Sequence, residues 1–390
     1  MATIKSTKKL TNNPTTISLC LIVKDEEKLL AGSLDSVKNL VDEIIIVDTG
    51  STDNTVEIAN QYTNKVYYFE WIDDFAAARN FAQSKATCDY VFRWDADWLI
   101  SVEESEKIQS LKKDWFENAD QVYFTWDTTL NGDGKPTTTS LTYFIYRSGY
   151  YHWELPIHEM LVQNNPNALL VNKSWPDIHI QHLKDFTTRD IRSSQNITIM
   201  ESALQKMNHR EIGYTRILKN YIAELYLINR FDSVVDNARI YLQSVQTHRS
   251  VFTDFDATVV DLMVASLIQL NNLSEAKTVV NELYVSMNHL RRIHILAGDI
   301  AYFFHDFHNA AIEYETAQNI KIVVETFAVM DVERLDIYVK LQLAKLYFAS
   351  KDHEKSRENL YYIISNSSLD QNIMESKHLL NEIKFALEVG

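Results

Sequence analysis

The hydrophobic pattern of this 390-residue chain changes period near residue 200, and that change divides it into two constructions. Upstream, β-rich runs stand at Ile17–Val23, Glu43–Val47, Lys65–Phe69, Asp89–Trp94, Gln121–Trp126 and Leu141–Tyr146, with amphipathic helical stretches between the first four. That alternation predicts a parallel α/β sheet. The last two runs, joined across the polar Asn131-Gly132-Asp133-Gly134-Lys135-Pro136 segment, predict an antiparallel hairpin. Helix starts agree: Thr52-Asp53 opens Val56–Asn60, Asp74 opens a segment through Lys85, and Ser101-Val102-Glu103-Glu104 has capping-box spacing. Downstream, strands give way to helical periodicity. Four stretches end a helix in a polar turn holding Phe231, Leu273, Phe307 or His353, positions 42, 34 and 46 apart. One interval matches the tetratricopeptide period of about 34. Helical hairpin repeats are therefore expected, with a generic helical bundle as the other reading. The expected division is a flexible 1–14, an α/β domain at 15–200 and a helical-repeat domain at 201–390.

Composition narrows the partners. With 46% apolar and 23% charged residues the chain is expected to be soluble and globular. A formal charge of −15 opposes non-specific binding to nucleic acid or anionic membranes. Cys20 and Cys88 are its two cysteines, too few for a disulfide framework. The Lys/Thr/Asn-rich start lacks the apolar core of a signal peptide, and no run reaches the roughly eighteen apolar residues of a membrane helix. A cytoplasmic protein without stable membrane insertion is the expectation.

Two apolar runs end in acids. Ile44-Ile45-Ile46-Val47 closes on Asp48 and turns through Thr49-Gly50-Ser51; Tyr90–Trp94 closes on Asp95-Ala96-Asp97. In an open α/β sheet both acids reach the edge at the strand C-termini, where ligands bind. An isolated Asp-x-Asp more often solvates a loop, but the paired strand ends favour function. Against a diphosphate, three carboxylates are repulsive, by roughly 4 kcal/mol per pair of charges at about 4 Å and an effective dielectric of about 20. A hard cation, Mg²⁺ or Mn²⁺, resolves the conflict by taking carboxylates and phosphates together.

These residues carry a family resemblance. The opening Leu19–Glu27 with Leu34 and Ser36-Val37, the Ile46–Thr55 turn and Trp94-Asp95-Ala96-Asp97 resemble the family 2 glycosyltransferases of the GT-A fold, with Asp25 where that family usually has Asn. Asp73-Asp74-Phe75-Ala76-Ala77-Ala78-Arg79-Asn80 is similar to a helix of the sublancin-type peptide S-glycosyltransferase subgroup, which also carries helical repeats. The resemblance implies a Rossmann-like mixed sheet followed by a TPR-like domain, and a metal-dependent, inverting transfer of a hexose from a nucleotide sugar such as UDP-glucose. It implies that Asp48 and Ser51 read the nucleobase, Asp95 contacts the nucleoside side, Asp97 binds the metal, and Arg79 neutralises the diphosphate. A surface ion pair with Asp73 or Asp74 is the other reading of Arg79, and a solvated helix start that of Asp25 and Glu26.

The acceptor side comes from later segments. In Tyr151–Met160, Glu159 is the expected general base and His158 the second candidate, since such a transfer needs one base for the acceptor proton; both could instead orient the loop. In Ile178-His179-Ile180-Gln181-His182 an extended chain places the two histidines on opposite faces. The resemblance makes His182 the metal ligand or a phosphate contact, with Lys184, Arg189, Arg192 and Asn196 following. Among Trp71, Trp94, Trp98, Trp126 and Trp153, we single out Trp98 and Trp153 for sugar stacking, although core packing accounts for any of them. The helical region is expected to select a polypeptide acceptor, through Cys or Ser/Thr, or to form a homodimer. An envelope polysaccharide or glycolipid transferase shares the catalytic half, and a non-catalytic repeat scaffold is the remaining alternative.

Overall fold

The computed structural model describes residues 15–112, 119–130, 136–183, 189–209, 211–249, 251–320, 330–331, 333–367 and 369–389. Its first half runs β1 (Ile17–Val23), α1 (Leu30–Val37), β2 (Glu43–Asp48), α2 (Thr55–Tyr62), β3 (Val66–Tyr68), α3 (Phe75–Gln83), β4 (Tyr90–Trp94), β5 (Trp98–Leu99), α4 (Val102–Lys112), β6 (Gln121–Leu130), β7 (Pro136–Arg147), β8 (Tyr151–Glu154), β9 (Met160–Gln163) and β10 (Asn172–His182). The main sheet has the order β3-β2-β1-β4-β7-β6-β10-β5. Strands β3, β2, β1 and β4 are parallel, β7 runs antiparallel to β4 and to β6, and β10 lies parallel to β6. This is the mixed sheet expected. Apolar side chains that leave Ile17, Leu19, Leu21 and Phe92 wholly buried explain why the β1 and β4 runs read as continuous apolar stretches.

The two acid-bearing strands flank β1, because the parallel order turns back around it. In register, Val23 at the end of β1 lies opposite Asp48. Asp74 caps α3 by accepting from the Ala77 N–H at 2.9 Å, and Ser101 accepts from the Glu104 N–H at 3.1 Å at the start of α4. The strand β10 was hidden from sequence by Pro176 and by a bulge between Trp175 and His179.

The second half contains α5 (Arg189–Lys206), α6 (Ile212–Leu227), α7 (Phe231–His248), α8 (Asp254–Gln269), α9 (Leu273–Met287), α10 (Arg291–Phe303), α11 (Phe307–Asn319), the two-residue β11 (Met330–Asp331), α12 (Val339–Ala349), α13 (His353–Asn366) and α14 (Asp370–Val389). The expected repeat turns share one geometry. Asn229, Asn271, His305 and Lys351 have φ of 59°, 57°, 59° and 64°. The following N–H of each turn reaches back five residues, as from Arg230 to the Leu225 carbonyl at 2.9 Å and from Asp352 to Tyr347 at 2.8 Å. A left-handed residue closing a helix in this way is a Schellman cap. Asn272, Asp306 and Asp352 then cap the next helix with their side chains. The helical region also returns to the sheet, where β11 pairs antiparallel with Thr138 and Thr139 of β7. Among the described residues, no helix is long and apolar enough to cross a membrane.

A buried histidine in this stack makes its stability depend on pH. His294 is 4% exposed; Nε2 faces the Asn288 carbonyl at 2.9 Å and Nδ1 faces Glu313 at 2.6 Å. Burial pushes its pKa down, but the Glu313 bond and the carbonyl outweigh burial and raise it. When the ring is protonated, both nitrogens donate. Its stabilisation is complete below the unfolded value of about 6.5 and fades as pH rises through the higher folded value. Thermal unfolding across that window should show a falling melting temperature that His294→Asn removes; an unchanged pH slope in the variant would contradict the assignment.

Candidate active site

The Asp95–Asp97 turn is fixed from three sides. The Trp98 N–H donates to the Asp95 carbonyl at 3.1 Å, closing the turn. From α1, Ser33 accepts from the Trp94 indole at 2.8 Å and donates to the Asp95 carbonyl at 3.3 Å, while Ser36 accepts from the Ile100 N–H at 3.3 Å. From beyond β10, the Leu183 N–H donates to the Asp97 carbonyl at 2.7 Å. That last bond brings His182 to the turn. Its Nε2 lies 2.8 Å from Asp97 Oδ2, and its ring stacks on Trp126 with centroids 5.4 Å apart. His179, on the opposite strand face, instead pairs with Asp127 at 3.1 Å. Only one of the two histidines reaches the site, as the odd spacing requires.

Beside this pair opens a cleft of about 580 Å³, lined by Asp95, Asp97, Trp98, Trp126, Arg79 and His182. Lys24, Glu26 and Thr49 line its β1–β2 side, Trp71, Asp73 and Phe75 the approach to α3, and Gln195, Asn196 and Ile199 of α5 its far wall. The donor set fits a divalent cation: a carboxylate oxygen and an imidazole nitrogen lie 2.8 Å apart at the wall of the cleft, with space for ligands from outside the protein. Among the described residues, no cluster of three or more His, Cys, Asp or Glu side chains surrounds such a point.

Asp48 and Ser51 shape the turn beside the cleft. Asp48, 6% exposed, accepts from the Gly50 and Ser51 N–H groups, each at 3.1 Å. Gly50 has φ of 106°, a conformation that suits glycine. The Ser51 hydroxyl accepts from the Asp25 N–H at 3.0 Å, and Asp25 accepts from the Thr52 N–H at 2.7 Å. Asp25, itself at φ of 53°, thus locks the β1–α1 loop to the β2–α2 loop. Glu26 joins them through its N–H to Thr55 at 2.7 Å.

Arg79 bridges two acids eighty and sixteen residues away. Its Nη2 donates to Asp95 at 2.9 Å and its Nε to Glu159 at 2.7 Å. Neither Asp73 nor Asp74 pairs with it; Asp73 instead accepts from the Trp71 indole at 2.8 Å. Burial alone would lower the Arg79 pKa, yet the two carboxylates outweigh it and keep the guanidinium charged. Burial likewise pushes the Asp95 pKa up, and Arg79 and Arg93 hold it below the ordinary value. Removing the central cation would leave Glu159 without its ion pair and Asp95 with Arg93 as its remaining nearby guanidinium. Arg79→Ala should therefore lose about 3 kcal/mol of stability, read from urea unfolding; a loss below about 1 kcal/mol would show the bridge to be incidental.

The tryptophans singled out for stacking are packed away. Trp98 is 1% and Trp153 3% exposed. Arg93 lies 4.9 Å over the Trp98 ring, and Arg79 lies 5.5 Å over Trp153, so cations already cover these faces. Trp71 and Trp126 are the more accessible rings of the cleft. His158 has φ of 53°, and burial lowers its pKa to about 4, which keeps it neutral at pH 7. Of the later basic run, Lys184 and the side chains of Arg189 and Arg192 lie outside the described residues.

Residues 18–167 match the model of glycosyl transferase family 2. That stretch therefore resembles a family 2 glycosyltransferase domain. It is 37% identical over 271 residues to the SPbeta prophage-derived glycosyltransferase SunS of Bacillus subtilis, covering 66% of this chain and 60% of that one. It is 34% identical over 173 residues to a TPR repeat-containing protein of Synechococcus elongatus, covering 43% of this chain and 41% of the relative. An uncharacterized glycosyltransferase of Rickettsia felis is 40% identical over 93 residues, 24% of this chain and 32% of that protein. The chain thus spans less than two thirds of the length of each of these relatives.

The α/β domain and the helices meet at the loop carrying His158 and Glu159. Arg216 of α6 donates from Nε to the His158 carbonyl at 2.7 Å and from Nη2 to the Glu159 carbonyl at 3.5 Å. The Phe75 N–H holds the Pro156 carbonyl at 2.8 Å from the other side. Ile157 is buried with Ile199, Met200, Ala203 and Ile217 of α5 and α6. Leu155 lies so close to Gly213 that a Cβ there would meet it at 2.4 Å. Glu159, and through it the Arg79 guanidinium, is thus positioned by a loop clamped between α3 and the helices. Neither Arg216 nor Lys24 stands out in the sequence as a site residue. Lys24 directly follows β1 and could have been read from that position; Arg216 has no local signal, because its partners are carbonyls of a distant loop.

Proposed function

We propose that this protein transfers a hexose from a nucleotide sugar to a Cys or Ser/Thr side chain of a polypeptide, with inversion at the sugar carbon. The observation that carries the reading is the convergence of Asp97 and His182 in the cleft at the strand C-termini of a family 2 domain. Asp97 and His182 would hold Mg²⁺ or Mn²⁺, which supplies positive charge to the departing diphosphate. Lys24 adds a second cation at the same wall, in place of Arg79, whose guanidinium is committed to Asp95 and Glu159. Asp95 stands on the nucleoside side, and the Asp48–Ser51 turn shapes that end. Trp71 and Trp126 offer ring faces to the sugar. As the acceptor sulfur or oxygen bonds to the sugar carbon, the carbon–oxygen bond to the diphosphate breaks and the acceptor proton passes to a Glu159 carboxylate oxygen. His158, neutral and a weak base, positions the loop.

The polypeptide acceptor rests on the Asp73–Asn80 segment and the helical repeats. Incubation with UDP-glucose, Mg²⁺ and candidate peptides should give a hexose adduct by intact mass that EDTA abolishes. Transfer to a lipid or glycan with no peptide adduct would overturn the acceptor and favour an envelope transferase. In a functioning assay, Arg216→Ala should lower kcat roughly tenfold with donor KM unchanged, because the clamp sets geometry rather than binding. Arg216→Lys, retaining charge and one donor, should recover part of the loss; equal kcat in all three proteins would contradict the clamp.

A further inference from the structure

A second cavity, of about 470 Å³, continues from the cleft between the Ile72–Asp74 loop with Pro156 on one side and α5 on the other. The two spaces share Asp73, Gln195 and Ile199 as walls. A chain lying in the second cavity therefore presents one end to the space beside Asp97 and His182.

We propose that this second cavity is the acceptor subsite, a channel for an extended polypeptide segment with a basic residue near the modified side chain and an acidic group farther along. The inference rests on the transfer reading above and specifies its substrate. Gln195, Ile199, Ser202 and Lys206 recur at the intervals that place side chains on one helix face. Eleven residues of helix rise about 16 Å, the reach of about five residues of extended chain. The Gln195 amide and Ser202 hydroxyl both donate and accept, which matches the main-chain N–H and C=O groups of a strand entering a groove. Ile72, 60% exposed, faces solvent beside Pro156 and Ile199 and gives an apolar rest for one side chain.

Charge sets the direction. Asp73 stands at the junction of the two spaces, at φ of 58°, with one carboxylate oxygen held by the Trp71 indole. Asp74 stands next to it, while Lys206 closes the far end. A lipid would need a continuous apolar wall, and a neutral glycan would leave this acid-to-base gradient unmatched. A peptide with the opposite gradient matches both ends.

The test uses the full chain, UDP-glucose, Mg²⁺ and a randomised peptide library with a central Cys or Ser, sequenced after transfer. Wild-type products should be enriched in Lys or Arg beside the modified residue and in Asp or Glu about five residues away. Lys206→Glu should reverse the distal preference, and Asp73→Asn should remove the proximal one. Ser202→Trp, which fills the channel from an exposed position, should raise the peptide KM about tenfold or more. UDP affinity should be unchanged in Ser202→Trp and Lys206→Glu. Wild-type KM in Ser202→Trp, or a distal preference indifferent to Lys206→Glu, would overturn the channel and leave the transfer reading standing. No transfer to any peptide by the wild-type protein would overturn both.

Discussion

Asp97→Ala is expected to reduce both sugar transfer and UDP-sugar hydrolysis roughly a thousandfold, the rate equivalent of several kcal/mol of transition-state charge stabilisation. Among the described residues, Asp97 is the carboxylate in contact with His182, and it is the charged group proposed to hold the metal there. Without it the imidazole alone faces a cation and a diphosphate. His182→Ala should cost less, since it removes a neutral ligand while the carboxylate stays. The fold should survive both changes, because the turn is held by backbone carbonyls of Asp95 and Asp97 that alanine keeps. Steady-state kinetics across Mg²⁺ and Mn²⁺ concentrations read the effect. Full turnover in Asp97→Ala at saturating metal would show that the ligand lies elsewhere.

Glu159→Gln should have the second largest effect, and its size reports the acceptor. A positioned base contributes about 10²- to 10⁴-fold for a hydroxyl, whereas a thiol with a free pKa of about 8.5 needs less help. A large loss with serine peptides and a small one with cysteine peptides is the expected pattern. Glutamine keeps a carbonyl oxygen for the Arg79 Nε donor, so the bridge to Asp95 should persist and donor KM should hardly move. A donor KM raised as much as kcat is lowered would mean that Glu159 serves the bridge and that another group takes the proton.

The parts legible in sequence were those with local cause. Strands β1, β2 and β4 announced themselves because a strand covered on both faces must be apolar throughout, and the acids that end them mark its edge. The repeat turns were legible for a similar reason. A helix that stops in a left-handed residue and restarts at a side-chain cap leaves Asn or Asp at fixed offsets, as at Asn272, Asp306 and Asp352. Alternation along a strand separates His182 from His179, and the family resemblance pointed to His182, whose ring meets Asp97.

What escaped was set by distant partners. Arg79 reads as a phosphate ligand from its motif, but its charge is engaged by Glu159 across eighty residues, a pairing that spacing does not encode. Trp98 and Trp153 look alike in sequence to Trp71 and Trp126; burial, with the packing of Arg93 and Arg79 on the first pair, distinguishes them. The expected boundary at residue 200 divides α5, which begins at Arg189, because a polar opening turn carries no periodic signal. Strand β11, two residues long, lies below any pattern.

The central claim is that donor and metal bind together through Asp97 and His182. Equilibrium binding of UDP, measured by calorimetry with Mn²⁺ and again in EDTA, tests it most directly. Tight binding is expected only with the metal, and is expected to be lost in Asp97→Ala. Equal affinity in EDTA, or a metal requirement that survives Asp97→Ala, would contradict it.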